Sequence, residues 1–141
     1  MLEVKIAKSN EDIDTCHKLR KIVFIKEQNV SPEEECDEQD KISKHFILLE
    51  NNTPIGTGRI YKDNSTAVIG RICILKEHRG KNAGLFLMKN LIDYCKNQNF
   101  KEILLGAQEY ALGFYEKSGF QVCSERYMDA NIPHFKMKME F

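Results

Sequence analysis

One stretch leads from an apolar strand through a short charged turn into the start of a helix: Arg71-Ile72-Cys73-Ile74-Leu75-Lys76-Glu77-His78-Arg79-Gly80-Lys81-Asn82-Ala83-Gly84. Backbone N–H groups in the first turn of a helix have no partner inside the helix, and the helix dipole adds about half a positive charge there. An anion therefore binds at such a point without many basic side chains. Gly80 and Gly84 let the backbone come close to it. The stretch predicts a phosphate-binding loop, and a plain strand-turn-helix junction is the alternative.

The helix that follows this turn has one apolar face and one polar face. The apolar positions recur at helical spacing: Gly84, Leu87, Met88, Leu91, Ile92 and Cys95. The polar positions fall between them: Lys89, Asn90, Asp93, Lys96 and Asn97. This period predicts an amphipathic helix that packs on a core.

Other segments indicate an interleaved set of strands and helices. Ser9 and Asp12 form a capping-box start for a first helix. Alternation and turn residues predict strands over 2–7, 45–50, 55–61, 66–75, 103–107, 120–128 and 135–141, with a helix over 110–118. The acidic stretch from Glu33 to Asp40 predicts a loop with one short helical turn, since it lacks the alternation and central glycine of a calcium loop. Strands that alternate with helices predict an α/β fold.

A second motif follows the buried-strand run 103–107. It is Gln108-Glu109-Tyr110-Ala111-Leu112-Gly113-Phe114-Tyr115-Glu116-Lys117-Ser118-Gly119-Phe120. Together with the first motif it resembles the GCN5-related N-acetyltransferase (GNAT) superfamily. That family has an Arg/Gln-x-x-Gly-x-Gly/Ala loop after a strand, and a later helix with Ala-x-x-Phe-Tyr-x-x-x-Gly-Phe. Both occur here in the same order.

Further matches resemble the small ElaA-like or YjcF-like subgroup of this superfamily. They are Val23-Phe24, Glu27-Gln28, the acidic run Asp37–Asp40, His45 and the run Ala130–His134. The resemblance covers essentially the whole chain. It implies one GNAT domain over residues 1–141, with a central mixed sheet of about seven strands flanked by helices. It also implies an acetyl-CoA-dependent N-acetyltransferase whose coenzyme lies between two splayed strands.

The resemblance assigns coenzyme-binding roles to the loop and to the strand before it. Backbone groups of Ile72, Cys73 and Ile74 are expected to pair with the pantetheine arm, and one N–H is expected to polarise the thioester carbonyl. Gln108 stands where many relatives have an asparagine that contacts the pantetheine. The expected pyrophosphate residues are Arg79, Gly80, Lys81, Asn82, Ala83 and Gly84. Asn82 replaces the first motif glycine, but asparagine tolerates left-handed backbone geometry.

Tyr115 is the first candidate for catalysis. The resemblance places it beside the coenzyme sulfur, where a phenol, protonated at neutral pH, can act as general acid toward the leaving thiolate. The alternative is that Phe114 and Tyr115 are ordinary aromatic core residues.

Three residues within the subgroup resemblance are candidates for the general base that takes a proton from the acceptor amine. They are Glu27, His45 and His134. The alternatives are a solvated helix residue for Glu27 and locally satisfied imidazoles for the two histidines.

Four basic residues lie on elements that border the acceptor side of the cleft in GNAT folds: Arg20, Lys26, Arg59 and Arg71. They suggest a substrate-binding pocket for an amine with an anionic group, such as glucosamine 6-phosphate, an amino acid or a peptide end, because a guanidinium pairs with phosphate or carboxylate in two-point fashion. Surface ion pairing is the alternative.

Composition limits the classes of partner. Lys+Arg and Asp+Glu both number 21, so no net basic field favours nucleic acid or a membrane surface. Five widely spaced cysteines without metal-type spacing indicate free thiols, no metal and a reducing compartment. The expectation is a cytoplasmic protein, a monomer or homodimer, that acts on a small-molecule amine.

Three rival functions stay open at this point. A non-catalytic acetyl-CoA-binding regulatory module is weakly favoured by Asn82 and disfavoured by Tyr115. A protein or peptide N-acetyltransferase would use the same chemistry on a larger acceptor. A nucleic-acid-binding domain has little support, because neither a basic stripe nor a known motif is present.

Overall fold

An eight-stranded mixed sheet organises the protein, and the computed structural model describes residues 1–141. The strands are β1 (Leu2–Ile6), β2 (Lys44–Glu50), β3 (Thr53–Asp63), β4 (Thr66–Ile74), β5 (Glu102–Gln108), β6 (Gln121–Val122), β7 (Tyr127–Asp129) and β8 (Ile132–Glu140). The α-helices are α1 (Asn10–Arg20), α2 (Pro32–Glu35), α3 (Ala83–Asn97) and α4 (Leu112–Lys117). The strand order is β1-β2-β3-β4-β5-β8-β6, and β7 pairs with β8.

Helices α3 and α4 cover one face of the sheet and enclose the main core. Ile69 of β4 and Leu105 of β5 are buried there together with Leu87 and Leu91 of α3. Because side chains alternate along a strand, Val68 of β4 points to the other face, where α1 packs. The alternation of apolar residues and the helical period of α3 therefore place the core as the sequence predicts.

Strands β4 and β5 form the only parallel pair, and they separate part-way along. They are paired from Thr66–Ile69 with Glu102–Leu105, and no pairing continues beyond Ile69. A β-bulge lies just past this point, where the β3–β4 register shifts between Thr57 and Arg59 and the extra residue Arg71 has φ of 53°. The bulge bends β4 away from β5 and opens a fork between the two strands.

The segment after α1 continues as a π-helix over Lys21–Glu27. Such segments are rare and occur often at functional sites. The start of α1 is as predicted, because the Ser9 hydroxyl accepts a hydrogen bond from the Asp12 N–H at 3.1 Å. The acidic stretch holds more structure than predicted, since α2 is followed by a 3₁₀ helix over Glu38–Ile42.

The expected strand over 120–128 is wrong as a single element. Two short strands, β6 and β7, occupy this region, and both pair with β8. β7 and β8 are joined by a tight turn in which Ala130 and Asn131 have φ of 52° and 62°. Two positive φ values in succession are typical of a type I′ hairpin turn, which orients β7 antiparallel to the start of β8. None of the helices combines the length and apolar character needed to cross a bilayer.

Candidate active site

A cleft of about 670 Å³ opens at the fork between β4 and β5. One side of it is the outer half of β4 and the turn before α3, and the other side is formed by the segment after α1 and the β7–β8 hairpin. Predicted site residues that line it are Arg59, Arg71, Ile72, Cys73, Ile74, Arg79, Gly80, Asn82, Ala83, Gly84, Gln108, Tyr115 and His134. The fold therefore brings residues from distant parts of the sequence to one cavity.

The turn before α3 presents free backbone donors. Asn82 is the N-cap of this 15-residue helix with φ of 62° and ψ of 14°, and its side chain makes no capping hydrogen bond. Gly80 also has a positive φ, of 81°. The first N–H groups of α3 thus have no side-chain partner, as an anion site requires. The left-handed geometry at Asn82 explains why asparagine is acceptable where a glycine would otherwise stand.

Gly84 has a packing role that the sequence did not reveal. A Cβ built on Gly84 would lie 3.0 Å from Cε1 of Phe114, tighter than ordinary contact. The glycine therefore allows α3 to approach α4 closely. A larger residue here would disturb helix packing before it blocked any ligand, so Gly84 is a poor position for testing the loop.

Tyr115 lies on α4 with only 9% of its surface exposed. Its ring packs edge-on against Phe114 and Phe120. Its hydroxyl has no hydrogen-bond partner in the chain and is not among the fully buried polar atoms, so it opens to the cleft. Burial raises the pKa of Tyr115 above its usual value, which keeps the phenol protonated at neutral pH.

Arg79 and Glu27 form an ion pair across the mouth of the cleft. Nη1 and Nη2 of Arg79 donate to Oε2 and Oε1 of Glu27 at 2.7 and 2.8 Å, and Nε donates to the Ile74 carbonyl at 2.9 Å. The hydrogen bonds from Arg79 lower the pKa of Glu27. The pair is partly exposed, with 39% and 34% of the two side chains accessible.

A second group of arginines forms a buried cluster with acidic residues, which we call the ion-pair cluster. Its members are Arg20, Arg59, Arg71, Glu35, Asp37 and Asp40. Arg20, which is 1% exposed, donates to Glu35 at 2.6 Å and to both oxygens of Asp40 at 2.8 and 2.9 Å. Arg59 donates to Asp37 and Asp40 at 2.6 to 2.7 Å.

Arg71 completes the ion-pair cluster from β4. It donates to the Glu35 carbonyl at 2.9 Å and to Asp37 at 3.1 Å. Burial alone would raise the pKa of Asp40, but hydrogen bonds and charge from Arg20 and Arg59 lower it to about 2. Each guanidinium of the cluster therefore has at least one carboxylate partner, and the cluster fastens the acidic stretch to β3 and β4.

Comparison with known proteins identifies the family. The acetyltransferase (GNAT) domain family matches residues 9–141. The chain is 37% identical over 137 residues to YjcF, an uncharacterised N-acetyltransferase of Bacillus subtilis strain 168, covering 96% of this chain and 98% of that protein. This chain is a GNAT acetyltransferase.

Solved structures agree with this assignment. ElaA of Escherichia coli superposes with a TM-score of 0.89 and 29% identity, covering 99% of this chain and 100% of that one. A GNAT family acetyltransferase of Elizabethkingia anophelis, solved with acetyl-CoA bound, shares the fold with a TM-score of 0.78 at 18% identity over 99% of this chain and 98% of that chain. The predicted α/β GNAT fold, the ElaA-like or YjcF-like subgroup and the acetyltransferase activity are confirmed, with a sheet of eight strands instead of about seven.

The histidines differ in their relation to the acetyltransferase cleft. His45 is 4% exposed, its Nε2 lies 3.0 Å from the Asp40 carbonyl, and it is not part of the cleft lining. His134 does line the cleft, and its Nδ1 lies 2.7 Å from the Ile132 carbonyl. That contact makes Nδ1 the protonated nitrogen of the neutral ring, which leaves Nε2 as an acceptor.

Five predicted site residues lie outside the cleft lining: Glu27 and His45, described above, together with Arg20, Lys26 and Lys81. Arg20 is enclosed in the ion-pair cluster, Lys26 is exposed on the π-helix, and Lys81 is 55% exposed with its Nζ 3.9 Å from Glu50. No group of His, Cys, Asp or Glu side chains is arranged to hold a metal ion.

The sequence predicted Gln108 in the cleft but neither its partner Gln28 nor Tyr127. Gln28 and Gln108 exchange amide hydrogen bonds at 2.8 and 3.2 Å across the cleft. Tyr127 enters from the β7–β8 hairpin. The signal for the hairpin was the Asn131 that follows the alternating run 127–129, since asparagine at such a position favours a tight turn.

Proposed function

We propose that this protein transfers an acetyl group from acetyl-CoA to the primary amine of a small acceptor. The observation that carries the proposal is the fork between β4 and β5, which has a phosphate-type helix start at its mouth and the hydroxyl of Tyr115 on its wall. The bound acetyl-CoA in the Elizabethkingia acetyltransferase, which shares the fold, supports the choice of coenzyme.

The coenzyme would bind mainly through backbone groups. On its β3 side, β4 is paired up to Ile74, but on its β5 side pairing stops at Ile69. Backbone N–H and C=O groups of Ile72–Ile74 on the open side can therefore pair with the amides of the pantetheine arm as an added strand does. The free N–H groups at the start of α3 then receive the pyrophosphate.

Tyr115 would act as the general acid. The amine nitrogen attacks the thioester carbonyl carbon, the C–S bond breaks, and the leaving thiolate takes the phenolic proton. The raised pKa of Tyr115 keeps that proton in place until sulfur charge develops. A hydroxyl that has no partner in the chain is available for this transfer.

His134 is the base candidate that the geometry supports best. Its Nε2 is an unprotonated acceptor in the neutral ring, and the residue lines the cleft. Glu27 is a weaker candidate because its carboxylate is engaged by Arg79, which lowers its pKa. His45 would require a rearrangement to reach the acceptor, since it lies in the ion-pair cluster region outside the cleft lining.

The anionic acceptor suggested by the sequence, such as an amino-sugar phosphate or an amino acid, has little support in the contacts. Arg20, Arg59 and Arg71 are all engaged by carboxylates. An anionic group would have to compete with these carboxylates for each guanidinium. A peptide amine would react by the same chemistry. A purely regulatory coenzyme-binding role does not explain the hydroxyl of Tyr115 on the wall of the cleft.

Two measurements test the proposal. Acetyl-CoA should raise the melting temperature, as a ligand that binds only the native state does. Tyr115→Phe should keep this rise and the fold, while turnover measured by thiol release falls about 10-fold to 1000-fold. Tyr94→Phe is the matched control, because Tyr94 packs on Phe46 outside the cleft. Unchanged turnover in a folded Tyr115→Phe protein would remove the hydroxyl from the chemical step, provided that step limits the rate.

A further inference from the structure

Tyr127 reaches the point where β4 and β5 separate. A Cβ built on Gly106 would lie 2.7 Å from Oη of Tyr127, so the missing side chain of Gly106 is what admits the phenol. Gly106 directly follows Leu105, the last residue of β5 that pairs with β4. The Tyr127 hydroxyl therefore lies beside the first open position of the fork.

The two tyrosines flank the fork from opposite faces of the sheet. Leu105 and Ala107 point into the core with α4 and Tyr115, so Gly106 between them points to the other face, where Tyr127 lies. A thioester held between the strands would thus have Tyr115 on one side and Tyr127 on the other. That arrangement suits a leaving sulfur on the first side and an attacking nitrogen on the second.

The ring of Tyr127 is positioned by stacking on His134. Its ring stacks on His134 with centroids 5.7 Å apart and an interplanar angle of 28°, and the two residues are opposite each other in the β7–β8 register. Its hydroxyl makes no hydrogen bond within the chain and opens to the cleft. Burial and the nearby Asp129 raise the pKa of Tyr127, so the phenol is neutral and can accept a hydrogen bond from an amine.

The charges of the cleft favour a cation. Every guanidinium that lines it, in Arg59, Arg71 and Arg79, has a carboxylate partner within 3.2 Å. Two carboxylates of the lining have no cationic partner: Asp129 is unpaired, and Glu34 only accepts a hydrogen bond from the Ser31 hydroxyl at 3.0 Å. An ammonium group near Tyr127 therefore meets the unpaired charge of Asp129, two residues further along β7.

Several side chains that line the same cleft as Tyr127 are apolar. Tyr61 and Val68 are opposite each other on β3 and β4, on the same face as Gly106, and both line the cleft. Ile132 and Val30 contribute from the hairpin and from the segment after the π-helix. All four are partly exposed, so a ligand with an apolar body would remove their surface from water.

We propose that the Tyr127 hydroxyl holds the attacking nitrogen of the acceptor, and that the acceptor is a cationic amine on an aromatic or apolar body without an anionic group. The inference rests on the proposed acetyl transfer and names the chemical class of its acceptor. Gly106 and His134 position Tyr127. Gly106 leaves space for its hydroxyl, and His134 stacks on its ring.

A matched set of amines tests the acceptor class. 2-Phenylethylamine has the expected body and charge, phenylalanine adds a carboxylate, and ethylamine lacks the ring. With saturating acetyl-CoA, kcat/KM for 2-phenylethylamine should exceed that for either comparison amine by at least about tenfold, because the cleft holds no free cation for the carboxylate and ethylamine has far less apolar surface to bury. Equal or better turnover of phenylalanine or ethylamine would overturn the acceptor class.

A double-mutant cycle tests the role of Tyr127. Tyr127→Phe should lower kcat/KM for 2-phenylethylamine about 10-fold to 100-fold, the range for losing a hydrogen bond to a charged group, while the KM for acetyl-CoA stays the same. Gly106→Ala should cause a similar loss, because the new Cβ displaces the hydroxyl. The double variant should lose no more than either single variant. Tyr94→Phe, outside the cleft, should keep full activity.

The outcomes separate this inference from the function it rests on. Fully additive losses, or a folded Tyr127→Phe protein with an unchanged kcat/KM for the amine, would overturn the role of Tyr127. If acetyl-CoA raises the melting temperature and ethylamine supports thiol release while neither aromatic amine does, the acceptor class is wrong and acetyl transfer stands. If acetyl-CoA has no effect on the melting temperature and no amine releases thiol, the proposed function itself fails.

Discussion

Two groups of arginines in this protein form ion pairs of different kinds. The ion-pair cluster around Arg20 and Arg59 is almost closed to solvent, whereas the Arg79–Glu27 pair lies at the mouth of the cleft with over a third of each side chain accessible. The same residue types therefore serve as a fixed structural anchor in one place and as a replaceable contact in the other. Burial and the number of carboxylate partners, and not charge alone, distinguish the two.

The physical reason lies in desolvation. When one charged group of a buried cluster is removed, its partners lose a counter-ion and cannot replace it with water, so the whole cluster must stay intact. An exposed pair loses little when it breaks, because water solvates both groups again. We therefore expect Arg79 to release Glu27 in favour of the proposed pyrophosphate, and Arg20 to keep its bonds to Asp40 and Glu35.

The largest expected effect is on stability. Arg20→Ala should lower the free energy of unfolding by about 3 kcal/mol, because it leaves Glu35 and Asp40 buried with fewer partners. Arg79→Ala should lower it by no more than about 1 kcal/mol, the value typical of an exposed pair. Urea unfolding of both variants measures the difference. Equal losses in the two proteins would show that the comparison between buried and exposed pairs is wrong.

A smaller effect should appear at low pH. The pKa of Asp40 is lowered to about 2, below its ordinary value near 4, so its ion pairs stabilise the fold fully above pH 4. This contribution, on the order of 1–2 kcal/mol, should be lost as the pH falls from about 4 to about 2. The pH dependence of the melting temperature in wild-type protein and in Asp40→Asn measures it. The variant should be less stable at pH 7 and show a shallower decline over that window, and a parallel decline in both would exclude Asp40 as its source.

Much of the fold can be read from the sequence, because the features involved are local. The helical period from Gly84 to Cys95 and the alternation in the strands depend on neighbouring residues. The order of elements and the motif residues then suffice to place Tyr115 and the loop at Asn82 on one cleft. Here the sequence and the structure agree.

The ion-pair cluster is a tertiary feature, and the sequence does not show it. Arg20, Arg59 and Arg71 lie far from one another along the chain, and their partners lie in an acidic stretch that looks like a solvated loop. Only the folded arrangement shows that these charges neutralise each other. The same holds for Gly106 and Tyr127, whose contact depends on the split of the expected strand over 120–128 into β6 and β7.

The smallest expected effect concerns Glu27 and separates its two possible roles. If Glu27 only competes with the coenzyme for Arg79, then Glu27→Gln should tighten acetyl-CoA binding about two- to fivefold, the equivalent of the 0.4–1 kcal/mol of an exposed ion pair, and leave kcat nearly unchanged. Titration calorimetry with acetyl-CoA, without an acceptor amine, measures the affinity, and the gain should fade at high salt because the pair is exposed. Arg79→Ala should weaken binding instead. A Glu27→Gln protein with unchanged affinity but a loss of kcat of about a hundredfold or more would identify Glu27 as the general base. In that case the pair at the mouth of the cleft, although exposed, would be part of the catalytic machinery, and accessibility alone would not make a contact replaceable.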